Sequence, residues 1–85
     1  MNRAAIVAAL EAFFKEHDAL DDVSAFSHET DLIEAGIMDS LLLVTLVGFC
    51  EERFDCTLEP HELTEDNFRS LDKIAAYIES KIARS

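Results

Sequence analysis

The 85-residue chain contains few of the residues that interrupt regular structure, with only one proline and two glycines. Both residue types favour turns and weaken helices, so their scarcity favours long regular elements. About half of the residues are apolar (49%), which is enough for a small core, and the length is that of one domain. We therefore expect a single domain over residues 1–85 that is built mainly of helices.

Cysteine is also scarce, since the chain contains only Cys50 and Cys56. Their spacing differs from the C-x-x-C spacing of zinc and redox sites, and one pair in a chain of this length is not a disulfide framework. We expect two free thiols in a reducing cytoplasm.

Long apolar runs are absent as well. The longest candidate, residues 41–50, has ten residues, about half of what a bilayer span requires. The N-terminal segment carries Glu11 and Lys15, and no cleavage site of small residues follows it. We predict a cytoplasmic protein without a signal peptide and without membrane insertion.

Positive charge is missing from the middle of the chain. No Lys or Arg lies between Lys15 and Arg53, whereas ten acidic residues lie there, and the net charge is −11. This charge repels phosphate backbones and argues against nucleic acid as a partner. The acidic segment is either a field that attracts basic partners or a surface that only keeps the protein in solution.

Apolar periodicity predicts three main helices. The first begins after Asn2, a good N-cap, and runs to about His17; the second begins at Asp39 or Ser40 and runs to about Phe54; the third begins near Ser70. Pro60 is an expected break, and Thr64 can cap a single turn in "TEDNF". The expected core positions of the first and last helices are Ile6, Val7, Leu10, Phe13, Phe14, Leu71, Ile74, Ala75, Ile78 and Ile82.

The first and second helices are joined by a long connection, about residues 18–38. Apolar side chains at Val23, Phe26, Leu32, Ile33 and Ile37 can dock on a core, so we expect a packed loop. The predicted fold is all-α: a small bundle of three main helices plus one short helix, with a long loop between the first and second helices.

The second helix is apolar on two sides. One arc, which is sufficient for the core, contains Leu43, Leu46, Val47, Cys50 and Phe54. Leu41, Leu42, Val44 and Phe49 project elsewhere. We expect Leu41 and Val44 to form an exposed, partner-binding patch. For Leu42 and Phe49, cover by the long loop is the alternative. Gly48 lies on the same side as Leu41 and Val44. A glycine inside a helix lowers its stability, so Gly48 either allows a partner to approach closely or is a glycine that the helix tolerates without a function.

Ser40 is a polar residue at the start of this apolar helix. Asp39 can cap the helix, which leaves the Ser40 hydroxyl accessible for modification. The context "MDSLL" lacks the G-x-S-x-G elbow, and His17, His28 and His61 lie far from Ser40 in sequence, so we predict no catalytic triad. The acids do not follow a calcium-loop spacing, and there is no glycine-rich phosphate loop. We predict no catalytic residues, no metal site and no enzyme activity.

The segment over residues 31–78 is similar to a known protein family. It reads "DLIEAGIMDSLLLVTLVGFCEERFDCTLEPHELTEDNFRSLDKIAAYI" and resembles the acyl and peptidyl carrier protein family. The specific parts are Asp39-Ser40-Leu41, the Asp-Leu pair eight residues before them, the Gly36 turn, the "EERF" helix end and the closing "NFRSLDKIAAYI".

The resemblance implies that a phosphopantetheinyl transferase attaches 4'-phosphopantetheine from coenzyme A to Ser40, with Asp39 as helix cap and recognition residue. Cargo would then be held as a thioester and presented to a loading ligase and to acyl-transferring enzymes. Carriers of primary fatty-acid synthesis typically have acidic residues after D-S-L, whereas this chain has Leu42, Leu43 and Thr45.

This departure favours a free-standing monomeric carrier of an acyl or aminoacyl group in a specialised lipid or secondary-metabolite pathway. A D-alanyl or peptidyl carrier is an alternative. A noncovalent helical adaptor that docks through its acidic and apolar surfaces is a second one, and a small hydrolase that uses Ser40 is a third.

Overall fold

The computed structural model describes residues 2–16, 27 and 29–84. In these ranges it contains four α-helices: α1 (Arg3–Glu16), α2 (Ser40–Phe54), α3 (Glu65–Phe68) and α4 (Leu71–Arg84). A 3₁₀-helix over Pro60–Glu62 lies between α2 and α3, where the sequence predicted only a break. No strand occurs in the described ranges, and the predicted all-α bundle with three main helices and one short helix is confirmed. The predicted anchors Val23 and Phe26, and His17 at the expected end of the first helix, lie outside the described residues.

Short polar side chains define where three of the helices begin. The Asn2 side chain accepts a hydrogen bond from the Ala5 amide at 2.8 Å, and the Thr64 hydroxyl accepts one from the Asn67 amide at 3.4 Å. Ser70 accepts one from the Lys73 amide at 3.2 Å. Each bond satisfies an amide that the first turn of a helix leaves without a partner. The predicted starts of α1, α3 and α4 are therefore correct.

The core lies where α4 packs against α1, α2 and α3. All five apolar residues predicted for the α1 face are buried, and α4 buries four of its predicted five, with Ile82 half-buried at the edge. Leu32, from the loop before α2, is fully buried with them. Its burial confirms that this part of the loop is packed.

The predicted core face of α2 is fully buried at its centre and half-buried at its edges. Leu46, Cys50 and Phe54 are buried as expected, and Leu43 and Val47 are half-buried against the core. Leu42 and Phe49, for which the sequence did not decide between exposure and cover, also pack against the core.

The cover of Phe49 has a specific source. Its ring centroid lies 4.9 Å from that of Phe13 and 6.2 Å from that of Phe54. Phe49 is thus packed against α1 and its own helix, and the large exposed apolar side chains of α2 lie in its first half, as expected.

The 3₁₀-helix is fastened to α4 through Glu62. Its Oε1 atom accepts hydrogen bonds from Lys81 Nζ at 2.8 Å and from the Tyr77 hydroxyl at 2.9 Å. These two bonds, first that of Lys81 and then that of Tyr77, lower the pKa of Glu62 to about 2. Burial, together with the neighbouring Glu62 carboxylate, raises the pKa of Tyr77. The ionised form of Glu62 is therefore favoured by folding.

This shift predicts an acid-dependent loss of stability. The folded-state pKa of Glu62 is lowered from 4.5 to about 2, so its contribution is complete above the unfolded value and is lost as the pH falls through this window. In Glu62→Gln the contribution is absent at every pH. Urea unfolding should show a difference between wild type and Glu62→Gln at neutral pH that shrinks as the pH falls from about 4.5 towards about 2.

A surface carboxylate provides the control for this experiment. Glu79 forms an exposed ion pair with Arg3 at 2.9 Å, so Glu79→Gln should have a small effect on the free energy of unfolding. A difference between wild type and Glu62→Gln that stays constant across the acid window would contradict the assignment.

Candidate functional site

Asp39 caps helix α2, as the sequence predicted. Its backbone is extended (φ −117°, ψ 179°), and its Oδ1 atom accepts a hydrogen bond from the Leu42 amide at 2.7 Å. Its carbonyl accepts the first intrahelical bond, from the Leu43 amide at 2.9 Å. The Asp39 carboxylate thus lies at the positive end of the helix dipole, where negative charge is stabilised.

Ser40 is the first residue of α2, and its side chain is exposed. Because Asp39 already supplies the cap, the Ser40 hydroxyl is not required to stabilise the helix end. An additional phosphate at this position would lie beside the amino end of the helix, a place that favours anions. The geometry therefore suits covalent modification of this hydroxyl by a phosphate group.

The face of α2 that follows Ser40 is apolar and open. Leu41 is 78% exposed and Val44 is 70% exposed, and these are the large exposed apolar side chains of the described residues. Thr45, next to Val44, bonds back to the Leu41 carbonyl at 2.9 Å and adds no charge to this face. The exposure that the sequence predicted for Leu41 and Val44 is confirmed; their contact with a partner stays a prediction.

Gly48 is exposed one turn after Val44. A Cβ atom placed on it would have no neighbour within 4 Å in the described chain, so packing inside the fold does not require glycine here. A role in close approach by a partner stays a prediction.

An open cleft of about 340 Å³ adjoins Ser40. Its lining residues come from the loop before α2, the first turns of α2, and the segment that contains α3: Ile33, Met38, Asp39, Ser40, Leu43, Leu63, Thr64, Glu65 and Phe68. The cleft combines apolar walls with a polar rim, as ligand-holding surfaces do. It offers space beside the hydroxyl for a group attached there.

The walls of this cleft were missed by the sequence reasoning, which considered only α2. Leu63, Thr64 and Phe68 lie more than twenty residues after Ser40 in the sequence, and no local pattern indicates that they return to it. The fold brings them there because Arg69, directly after α3, is hydrogen-bonded to the loop before α2.

The other groups considered for chemistry do not assemble at Ser40. His61 is exposed in the 3₁₀-helix, which does not line the cleft, while His17 and His28 lie outside the described residues. Both cysteines are free thiols; burial raises the pKa of Cys50 to about 12 and also raises that of Cys56. In the described part of the chain, no group of three or more His, Cys, Asp or Glu side chains could hold a metal ion.

Known families and proteins resemble this chain in sequence. The family model described as "Phosphopantetheine attachment site" matches residues 4–78. The D-alanyl carrier protein of Lactococcus lactis subsp. cremoris (strain MG1363) is 36% identical over 53 residues, which cover 62% of this chain and 67% of that protein. The D-alanyl carrier protein of Streptococcus sanguinis (strain SK36) is 33% identical over 72 residues, which cover 85% of this chain and 84% of that protein.

The fold has a counterpart among solved structures. A chain in the "Crystal structure of FAD-dependent dehydrogenase" matches with a TM-score of 0.70 and 28% identity, covering 80% of this chain and 97% of that one.

The chain therefore belongs to the phosphopantetheine-binding family, whose members carry a covalently attached prosthetic group. Within that family it is a carrier protein whose cofactor is 4'-phosphopantetheine, which confirms the family, function and cofactor predicted from the sequence. Carriers of this family interact with phosphopantetheinyl transferases and with ligases or acyltransferases, and they are not themselves catalysts. None of the helices in the described ranges is long and apolar enough to cross a membrane.

Proposed function

We propose that Ser40 is the attachment residue and that this chain carries an aminoacyl group as a thioester on the phosphopantetheine arm. One observation carries the proposal: an exposed serine opens α2 directly after a capping aspartate, between an open cleft and an exposed apolar face. The arrangement places a modifiable hydroxyl beside a surface that a partner enzyme can bind. The chain itself performs no catalysis and acts as a cytoplasmic monomer.

The proposed attachment is a phosphoryl transfer with a simple balance. The Ser40 oxygen bonds to the phosphorus next to pantetheine, the pyrophosphate bond of coenzyme A breaks, and the nucleotide part leaves. The hydroxyl proton passes to a base of the transferase. The resulting phosphodiester lies at the amino end of α2, where the helix dipole stabilises its negative charge.

Docking of the transferase and of the loading ligase is assigned to the face of α2 formed by Leu41, Val44 and Gly48. Leu41 and Val44 are the large exposed apolar side chains of the described residues and lie about one turn apart on α2. Exposed apolar side chains that are grouped on one face are typical of an interaction surface. Asp39 adds a recognition charge beside the serine.

The nature of the cargo is supported by the relatives. The match to this chain covers at least two thirds of the length of both D-alanyl carriers compared above. An aminoacyl group, with D-alanine as the first candidate, therefore fits better than the long acyl chain of a bulk fatty-acid carrier. Activation by an ATP-dependent ligase is the matching loading step.

A loading experiment tests the cargo. The phosphopantetheine form is incubated with ATP and either D-alanine and a D-alanine-activating ligase or a fatty acid and a fatty-acyl ligase. The intact mass is measured before and after treatment with hydroxylamine. We expect an alanyl adduct that hydroxylamine removes, because it cleaves thioesters. Loading by the fatty-acyl ligase alone would contradict the aminoacyl assignment.

A second candidate concerns what consumes the loaded carrier. The similarity to a chain in a crystal structure of an FAD-dependent dehydrogenase supports a cargo that a flavoenzyme oxidises while it is held on the arm. Cargo released from the arm after incubation with such an enzyme would then be lighter by two hydrogen atoms, which are transferred to the flavin.

A further inference from the structure

We propose that Asp31 and Arg69 form a positioning pair for Ser40, an inference that rests on the proposed role of Ser40 as the attachment residue. The two residues are 38 positions apart and join the loop before α2 to the junction of α3 and α4. They hold the turn that leads into α2, and thereby fix the place from which the hydroxyl is presented to the transferase.

Asp31 uses both of its carboxylate oxygens. Oδ2 accepts a hydrogen bond from Arg69 Nη1 at 2.9 Å. Oδ1 accepts bonds from the amides of Ile33 at 3.1 Å and Glu34 at 2.9 Å. One side chain thus orders the start of the turn and ties it to a distant part of the fold.

Arg69 contributes a second, independent connection. Its carbonyl accepts a hydrogen bond from the Leu32 amide at 2.7 Å, in addition to the side-chain bond to Asp31. Glu65, one turn earlier, lies 3.5 Å from the other guanidinium nitrogen. Leu32 and Asp31, which are adjacent in the loop, are therefore held by the backbone and the side chain of Arg69, respectively.

The turn connects the anchored residues Asp31 and Leu32 to the start of α2 at Ser40. Leu32 is fully buried, and its carbonyl accepts bonds from the amides of Ile37 and Met38, both at 2.9 Å. Gly36, with a φ of +76°, supplies the left-handed conformation that closes the turn. Met38 directly precedes the capping Asp39, so the position of the anchored turn sets the entry point of α2.

The same pair also holds two walls of the cleft. Ile33 and Phe68 both line it, and they are sequence neighbours of Leu32 and Arg69. Loss of the pair would loosen the loop wall relative to the α3 wall, next to the attachment residue.

A second ion pair of the fold provides a matched control. Arg3 Nη2 and Glu79 Oε1 also lie 2.9 Å apart, but they join exposed positions of α1 and α4, and neither residue lines the cleft. Arg3→Gln therefore removes an ion pair of equal length without touching the turn.

The test compares transferase kinetics of Asp31→Asn, Arg69→Gln, the double variant and Arg3→Gln. Asp31→Asn keeps an oxygen that can accept the Ile33 and Glu34 amides, so the local turn can form and the variant should fold. We expect kcat/KM to fall about tenfold in Asp31→Asn and in Arg69→Gln, mainly through kcat, because the hydroxyl is less well placed. The double variant should lose no more than the singles, since they disturb one unit. Arg69→Lys should recover part of the rate, and Arg3→Gln should match wild type.

Backbone amide exchange separates positioning from general stability. In Asp31→Asn and Arg69→Gln the amides of Ile37, Met38 and Leu42 should exchange faster, while those in the middle of α4 keep the wild-type rate. Wild-type kinetics in both single variants, or uniformly faster exchange over the whole chain, would overturn the proposal. Failure of wild type itself to accept phosphopantetheine would instead overturn the assignment of Ser40.

Discussion

Ser40→Ala should abolish the attachment of phosphopantetheine completely. When wild type is incubated with coenzyme A and a broad-specificity transferase, its intact mass should rise by one phosphopantetheine group, and the mass of Ser40→Ala should not change. The reason is chemical: alanine has no oxygen to form the phosphodiester. The fold should be unaffected, because Ser40 is exposed, Asp39 supplies the cap, and alanine is a good helix former.

A second helical serine controls for this result. Ser80 is exposed on α4, and Ser80→Ala should accept the group at the wild-type rate. A mass increase that persists in Ser40→Ala would place the modification elsewhere and would remove the basis for the proposed docking face.

Substitution by alanine should have opposite effects at two leucines of α2: one substitution should lower stability and the other should lower the rate of modification. Leu46 is fully buried and Leu41 is 78% exposed. Leu46→Ala should lower the free energy of unfolding by about 2–5 kcal/mol, because it removes packed methyl groups and leaves a cavity. Leu41→Ala should change it by no more than about 0.5 kcal/mol.

The effect on the transferase should be reversed. Leu41→Ala should lower kcat/KM by at least about fivefold, since it removes a central apolar contact of the proposed face. Leu46→Ala should retain most of its rate at temperatures where urea unfolding shows it to be folded. If Leu41→Ala were modified as fast as wild type, and a Val44→Glu variant were too, this face would not be where the transferase binds.

Local features of the fold were predictable from the sequence. The caps at Asn2, Asp39 and Thr64 depend on side chains within three residues of the amides they bind, and the buried faces of α1 and α4 follow from the helical period. The exposure of Leu41 and Val44 followed from the same angular argument. These features need no knowledge of where other elements lie.

Features that depend on distant contacts were not predictable. Phe49 was left open because its cover by Phe13 depends on how α1 packs against α2. The bonds between Glu62 and Lys81, and between Asp31 and Arg69, join residues 19 and 38 positions apart. No local pattern distinguishes these charged residues from others on the surface.

In the candidate site, too, the local features were predictable from the sequence and those that depend on distant contacts were not. Ser40, Asp39 and the apolar face lie on one continuous segment and could be named from it, whereas the cleft needs the α3 segment to fold back beside Ser40. The identity of the cargo is set by pockets in partner enzymes, so it follows from the loading experiment.

The central claim is that Ser40 holds the phosphopantetheine arm, and fragment-mass mapping tests it most directly. The 85-residue chain is modified with coenzyme A and a transferase, digested, and sequenced by tandem mass spectrometry. A single phosphopantetheine group on residue 40 is the predicted result. A group on any other side chain, or no group on a chain that remains folded, would contradict the claim.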